Sequence, residues 1–455
     1  MNCKLFGAIA SVFLLLGILF PPSTLADHEL RPVIFVHGGS GSGAQFESQA
    51  QRFASNGYPA SYIAVSEYDS TYTVNTMEDV WAGIDRTIAE MMAKTGAKHV
   101  DILGHSLGTV VLNGYLNSSP ERAAKVAHYV SIDGLGGITP PGGVPTLALW
   151  AGTGTPGREI TGATNVIIPN QTHVQCATSP ESFFEMYRFL AGGGPSTTSI
   201  TMEDPARVKL AGRAVLFPQN VGVQNATLEI WDVNERTGAR LRAQPDAVYP
   251  INGDGSWGPF DANGNRHYEF ALLRPGEFTH HFYFEPFPRS DFLIRLNTEE
   301  PGAGIGAYLD VNDRQTDLII VRYKEFWGDQ GAQNDTLQIN GTNVIDVATC
   351  PIDKRVNAIF AYDNGADGIS DVSTPIPFFF ALPFITGVDL FVPAAVPPDQ
   401  TVSIVLTPRD GGGKTQVLNV PNWPSLSDRV SLQFHDYPVA DGSRVSNRAD
   451  YLKAD

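Results

Sequence analysis

The chemistry-bearing residue types cluster first around Gly104-His105-Ser106-Leu107-Gly108, a G-x-S-x-G spacing between an apolar run and a helical stretch that opens at Leu107. A strand-turn-helix setting gives this pattern its meaning. The serine sits on a sharp turn that only small neighbours tolerate, and the amides that open the helix favour developing negative charge. A serine hydroxyl attacks an acyl carbonyl only when a base takes its proton. With this elbow the order along the chain is nucleophile, acid, base. His173, in Asn170-Gln171-Thr172-His173, fits the base, following a strand and preceding a helix. Between Ser106 and residue 194 the only other histidine is His128, which falls within a strand and reads as a packing residue. His105, inside the elbow, reads as structural.

The acid has two candidates. Between Gly134 and His173 the only carboxylate is Glu159, and the turn after the strand Leu147–Trp150, Ala151-Gly152-Thr153-Gly154-Thr155, has none. Asp133 ends the preceding strand, in Ser131-Ile132-Asp133-Gly134, on the sheet edge expected for Ser106 and His173. Asp133 is the assignment, to orient the imidazole and stabilise its cation, and Glu159 is the rival. Two backbone amides must receive the developing oxyanion. One is that of Leu107. The other is assigned to Gly39, in the loop His37-Gly38-Gly39-Ser40-Gly41.

These residues need a scaffold, and residues 31–192 supply alternating strands and helices. Strands are predicted at 32–37, 61–67, 99–103, 126–132, 147–150 and 165–168, and helices at 44–55, 77–94, 107–116 and 180–191. Thr76 with Asp79 resembles a capping box. Val80, Ile84 and Ile88 form an apolar stripe, and Gly96 closes that helix. The alternation implies one parallel sheet of six strands. Asp133 and Leu147 are too close for a large cap domain between them. Gly192 to Thr197 reads as a linker. After it, short strands and Gly, Pro, Asn and Asp turns imply an all-β region of one or two sandwich or barrel modules. Glu299 to Gly304 divides it into 200–300 and 301–455, and Asp261-Ala262-Asn263-Gly264-Asn265 with Tyr268 and Phe270 resembles a transthyretin-like sandwich.

His37-Gly38-Gly39, Gly104 to Thr109 and the late His173 together resemble small secreted bacterial lipases over residues 31–192. An acid directly after the strand that follows the elbow helix, as in pancreatic lipases, and the long β-rich half resemble the archaeal-type two-domain lipases. The resemblance implies a minimal α/β hydrolase without a large cap, followed by a β-barrel domain that helps bind lipid. It maps the triad onto Ser106, Asp133 and His173. It implies hydrolysis of acylglycerols or other acyl esters through an acyl-enzyme; separately, no His or Cys cluster has metal-ligand spacing, and no cofactor is expected. A polyester depolymerase anchored by its β-modules, and a binding protein with a vestigial hydrolase domain, are the alternatives.

Composition bears on location and partners. Lys4, the apolar run Leu5–Phe20 and Thr24-Leu25-Ala26 read as a secretory leader over 1–26 that leaves Asp27 first, with Cys3 ahead of the apolar run. The formal charge of −17 becomes −18 without Lys4, which disfavours nucleic acid and anionic membranes. No later segment has the length and hydropathy of a stable membrane insertion. Export permits a disulfide between Cys176 and Cys350, with two unpaired buried thiols as the alternative. Asn170 begins an Asn-x-Thr site beside His173, as Asn117, Asn225, Asn334 and Asn340 begin others elsewhere, which favours bacterial export over a glycosylating compartment. Pro375 to Phe384 would form a patch for transient lipid-interface contact if exposed, or a core segment if not, and Phe284 and Phe287 raise the same question. Asp363 to Gly368 reads as a β-turn before it reads as a Ca²⁺ loop.

Overall fold

A computed structural model describes residues 30–437, so the leader reading lies outside the described residues. Six parallel strands form the first sheet: β1 (Val33–Val36), β2 (Ile63–Val65), β3 (Val100–His105), β4 (Val126–Ile132), β5 (Thr146–Ala151) and β6 (Thr164–Ile168). Their order is β2-β1-β3-β4-β5-β6. Alternation within β1 sends Val33 and Phe35 into the core on one face and Ile34 and Val36 into the core on the other. Helices α1 (Glu47–Ser55), α2 (Met77–Thr95), α3 (Leu107–Ser118), α4 (Pro120–Ala123), α5 (Gln175–Thr178) and α6 (Pro180–Ala191) flank it. The capping box at Thr76 forms, and Gly96 ends α2 at φ 75°. No helix among the described residues is long and apolar enough to cross a membrane.

The β-rich half begins with β7 (Lys209–Leu216), β8 (Val221–Gly222), β9 (Ala226–Val233), β10 (Ala247–Ile251), β11 (Ser256–Asp261), β12 (His267–Leu273), β13 (Thr279–Phe284) and β14 (Asp291–Thr298). It continues with β15 (Leu318–Arg322), β16 (Thr336–Ile339), β17 (Thr342–Asn343), β18 (Ala358–Tyr362), β19 (Asp371–Pro375), helix α7 (Pro377–Ala381), β20 (Ile385–Asp389), β21 (Thr401–Thr407), β22 (Gln416–Pro421) and β23 (Asp428–Phe434). A nine-stranded sheet, β10-β9-β12-β13-β23-β15-β18-β20-β19, crosses the Glu299–Gly304 boundary through the parallel pair β13–β23. A β11-β7-β14 sheet packs on its first part and a β17-β16-β21-β22 sheet belongs with its second, each with its own apolar core. Of the two architectures expected here, the sandwich is the one found. The sheets are open, with β10 and β19 as edges, and no barrel closes among the described residues.

Four expectations meet the packing and bonding of the fold. Cys176 and Cys350 are free, so the disulfide is not formed. Each thiol is fully buried in a different core, Cys176 against Ser182 and Cys350 within the last sandwich. Residues 375–384 are neither an exposed patch nor a core strand. Proline starts α7 there, with Phe379 buried against Phe360 and Tyr362 while Phe378 is exposed and stacked on Tyr308. Phe284 and Phe287 are core residues of the first sandwich. In the turn at 363–368, Asp363 accepts the Gly368 amide, which is ordinary turn bonding.

Candidate active site

The elbow forms as its residue types demand. Ser106 links β3 to α3 at φ 53° and ψ −119°, a region that strains any non-glycine residue and that persists where its surroundings fix it. Its neighbours explain the two glycines. A Cβ on Gly108 would lie 2.4 Å from the Val36 carbonyl oxygen, and one on Gly104 would lie 2.9 Å from the Gly108 carbonyl oxygen. The turn leaves Ser106 half-buried at the sheet's carboxyl edge. Leu107 opens α3, where the first amides have no acceptor within the helix. The loop after β1 closes over the same point, since a Cβ on Gly38 would stand 3.0 Å from that of Ser106 and one on Gly39 3.8 Å from the Leu107 side chain.

Asp133 and His173 meet beside it. His173 Nδ1 and Asp133 Oδ2 lie 2.5 Å apart, and both side chains are at least nine-tenths buried. Asp133 has φ 45°, so the chain turns sharply at the end of β4 and aims the carboxylate at β5. Its Oδ1 accepts the Ala151 amide at 2.9 Å and Arg158 Nη2 at 2.6 Å. Burial alone would raise this carboxyl. The His173 hydrogen bond and charge, then the Ala151 amide and Arg158, outweigh it and hold Asp133 down at about 2. Glu159 stays exposed and accepts from Thr161. His128 belongs to a separate cluster with Asp101 and Arg31.

His105 is a structural link. Burial lowers it to about 3, so the ring is neutral. Its Nδ1 accepts from the Gln45 amide at 2.7 Å, and its Nε2 donates to the His173 carbonyl at 2.9 Å. Gln45 in turn accepts from the Gly38 amide at 3.4 Å. One chain of hydrogen bonds thus joins the Gly38–Gly39 loop, the elbow and the His173 loop.

A model described as lipase (class 2) matches residues 30–116, which include Gly39, Ser106 and Leu107. One described as lipase C-terminal domain matches 206–301, and a further C-terminal-domain model matches 304–438. The chain is an α/β-hydrolase lipase with a C-terminal lipase domain. Among solved structures, a gene product of Listeria innocua is 14% identical, with 36% of this chain and 94% of that one covered at a TM-score of 0.29. Lipase B of Aspergillus fumigatus is 14% identical, with 39% and 56% covered at 0.29. The metagenome-derived lipolytic enzymes LipS and LipT give 14% identity, 36% and 94% coverage and 0.28.

In this lipase the β-rich half reaches the site. Phe384, itself at φ 65°, lies parallel to the His173 ring with centroids 6.1 Å apart. A cleft adjoins Ser40, Gly41, Ser42 and Phe384. Its floor is one face of the nine-stranded sheet. Register places Phe282 beside Ser431, Ser431 beside Ile319 and Ile319 beside Phe360, and all four line it. Gln45, Arg158 and Glu325 have no sequence signal, because each acts through a contact that only tertiary folding makes, whereas Phe384 ends the apolar stretch that the sequence singles out.

Proposed function

We propose that this lipase-type hydrolase is a secreted serine carboxylester hydrolase that cleaves acylglycerols and other long-chain acyl esters. Ser106 Oγ attacks the ester carbonyl while His173 Nε2 takes its proton. Asp133 holds Nδ1–H and stabilises the imidazolium. The Gly39 and Leu107 amides receive the oxyanion. The protonated imidazole then gives its proton to the departing alcohol, and water, deprotonated by the same ring, releases the acid. The observation that carries this reading is the strained Ser106 elbow on the same sheet edge as the 2.5 Å Asp133–His173 pair.

The cleft favours one long acyl chain over a polymer surface, because Phe282, Ile319 and Phe360 line it and Phe384 stands between it and His173. Burying each methylene there is worth about 0.8 kcal/mol. Secretion rests on the leader pattern at 1–26. A fluorophosphonate should label the parent protein and leave S106A unlabelled, and kcat/KM for p-nitrophenyl esters should rise with acyl length. Labelling of S106A at the parental rate would refute the assignment, and activity confined to acetate would refute the long-chain substrate.

A further inference from the structure

The segment that carries His173 is held from the far half of the chain. Glu325, three residues past the end of β15 and fully buried, accepts three hydrogen bonds there. Its Oε1 receives the Val174 amide at 2.6 Å, and its Oε2 receives Thr172 Oγ1 at 2.6 Å and the Gln175 amide at 3.0 Å. Val174 is the N-cap of α5 and brings no side-chain cap of its own. Amides at a helix start need an outside acceptor, and here the second module supplies it.

The clamp is itself braced. The Glu325 carbonyl accepts from Arg322 at 2.8 Å and Arg409 at 2.7 Å, and both arginines pair with Asp335. Arg409 also donates to Gln175 Oε1 at 3.0 Å, and Thr178 Oγ1 donates to the Tyr323 carbonyl at 3.0 Å.

We infer that Glu325 is a positioning residue for His173, an inference that rests on the reading of His173 as the general base. The one carboxylate binds the residues on both sides of the histidine, while His105 holds the peptide carbonyl between them. The backbone of the loop is thereby fixed, and Asp133 fixes the ring. Without Glu325 the ring keeps its acid but loses its fixed approach to Ser106. The hydrolase segment therefore does not complete its own site; the second module finishes it. Misplacement by about 1 Å costs roughly 100-fold in rate, which sets the scale of the effect.

The test uses full-length E325A, E325Q and T172V, with S106A alongside. A short ester that does not reach the cleft is the substrate, and kcat is expressed per site titrated with a fluorophosphonate. E325A is expected to lose about 100-fold in kcat with KM within about twofold. E325Q should fall between parent and E325A, because its amide oxygen still accepts, and T172V should lose less than E325A. Should E325A fail to fold, E325Q and T172V carry the comparison. Folded E325A with parental kcat per titrated site, or E325Q and T172V both at parental kcat, would overturn the role. S106A inactive beside such a result removes only the Glu325 role, whereas S106A still active removes the triad reading beneath it.

Discussion

The two halves of this molecule build their parts of the site at different ranges along the chain. In the hydrolase half, strand ends and turns carry the polar groups: Ser106 follows β3, and Asp133, which follows β4, pairs with His173 from the loop after β6. The β-rich half has buried polar clusters of its own, such as His281 between Glu269 and Asp428, but they lie within its own sheets. Its contributions are a cleft floor, the Phe384 ring and the Glu325 clamp, the last two made by residues more than 140 positions from what they meet. The polar groups of the proposed site are thus encoded locally, whereas the cleft and the Glu325 contacts to the His173 loop are encoded at long range. The comparison would break first at the nucleophile. S106A should lower kcat by about 10⁶-fold, measured on any ester the parent cleaves. Asp133→Asn should cost about 10⁴-fold, because an amide cannot stabilise the imidazolium and leaves the ring in the wrong tautomer. If either variant kept a tenth of parental activity, the hydrolase half would not hold the chemistry.

Legibility follows the same division. Ser106 could be found because a nucleophile elbow forces glycine at 104 and 108, and α2 because Thr76, Asp79 and Gly96 are local signals. Asp133 was open to a rival because Glu159 also lay before His173, and only the fold shows which one faces the ring. Arg158, which shares Asp133 with His173, was invisible, since a loop arginine carries no motif. In the other half, turn residues gave the strands but not their partners. Parallel pairing of β13 with β23 joins segments about 150 residues apart, and no local pattern specifies it. For the same reason residues 375–384 could be read as a patch or a core segment, but the short helix Pro377–Ala381 within them could not be foreseen.

The long-range half can be tested without touching the triad. Ile319→Trp would fill the cleft floor, so kcat/KM for long-chain esters should fall by at least about 10-fold while acetate is unchanged. Overpacking would lower stability by about 1–3 kcal/mol. An equal loss on both substrates would detach the cleft from acyl binding. A smaller effect belongs to Arg158→Met. The folded Asp133 carboxyl sits at about 2, below its ordinary 3.8, so its ionised form adds stability above 3.8 that is lost as pH falls through 2. Removing Arg158 takes away one of the causes of that depression. Activity loss should therefore begin at a higher pH on the acid side, with no more than about a fivefold change at pH 7, on the order of 1 kcal/mol for a partly exposed pair. A pH–rate profile indistinguishable from the parent's would leave Arg158 without influence on the acid.

The smallest expected effect concerns the seam between the halves. A Cys176–Cys350 bond would tie them covalently, and its loss would cost on the order of 5 kcal/mol in chain entropy. The two thiols instead lie in separate cores, and burial pushes both upward, away from the reactive thiolate. What joins the halves is non-covalent: Glu67 between Arg295 and Arg213, Arg289 on Ser55 and the Glu325 clamp. Reductant should therefore leave both Tm and kcat unchanged, and a thiol reagent should titrate two groups in the leader-free chain only after denaturation. A fall in Tm of several degrees on reduction would mean that the halves are tied by a bond absent from this packing. The clamp would then lose its claim to be what seats one half on the other.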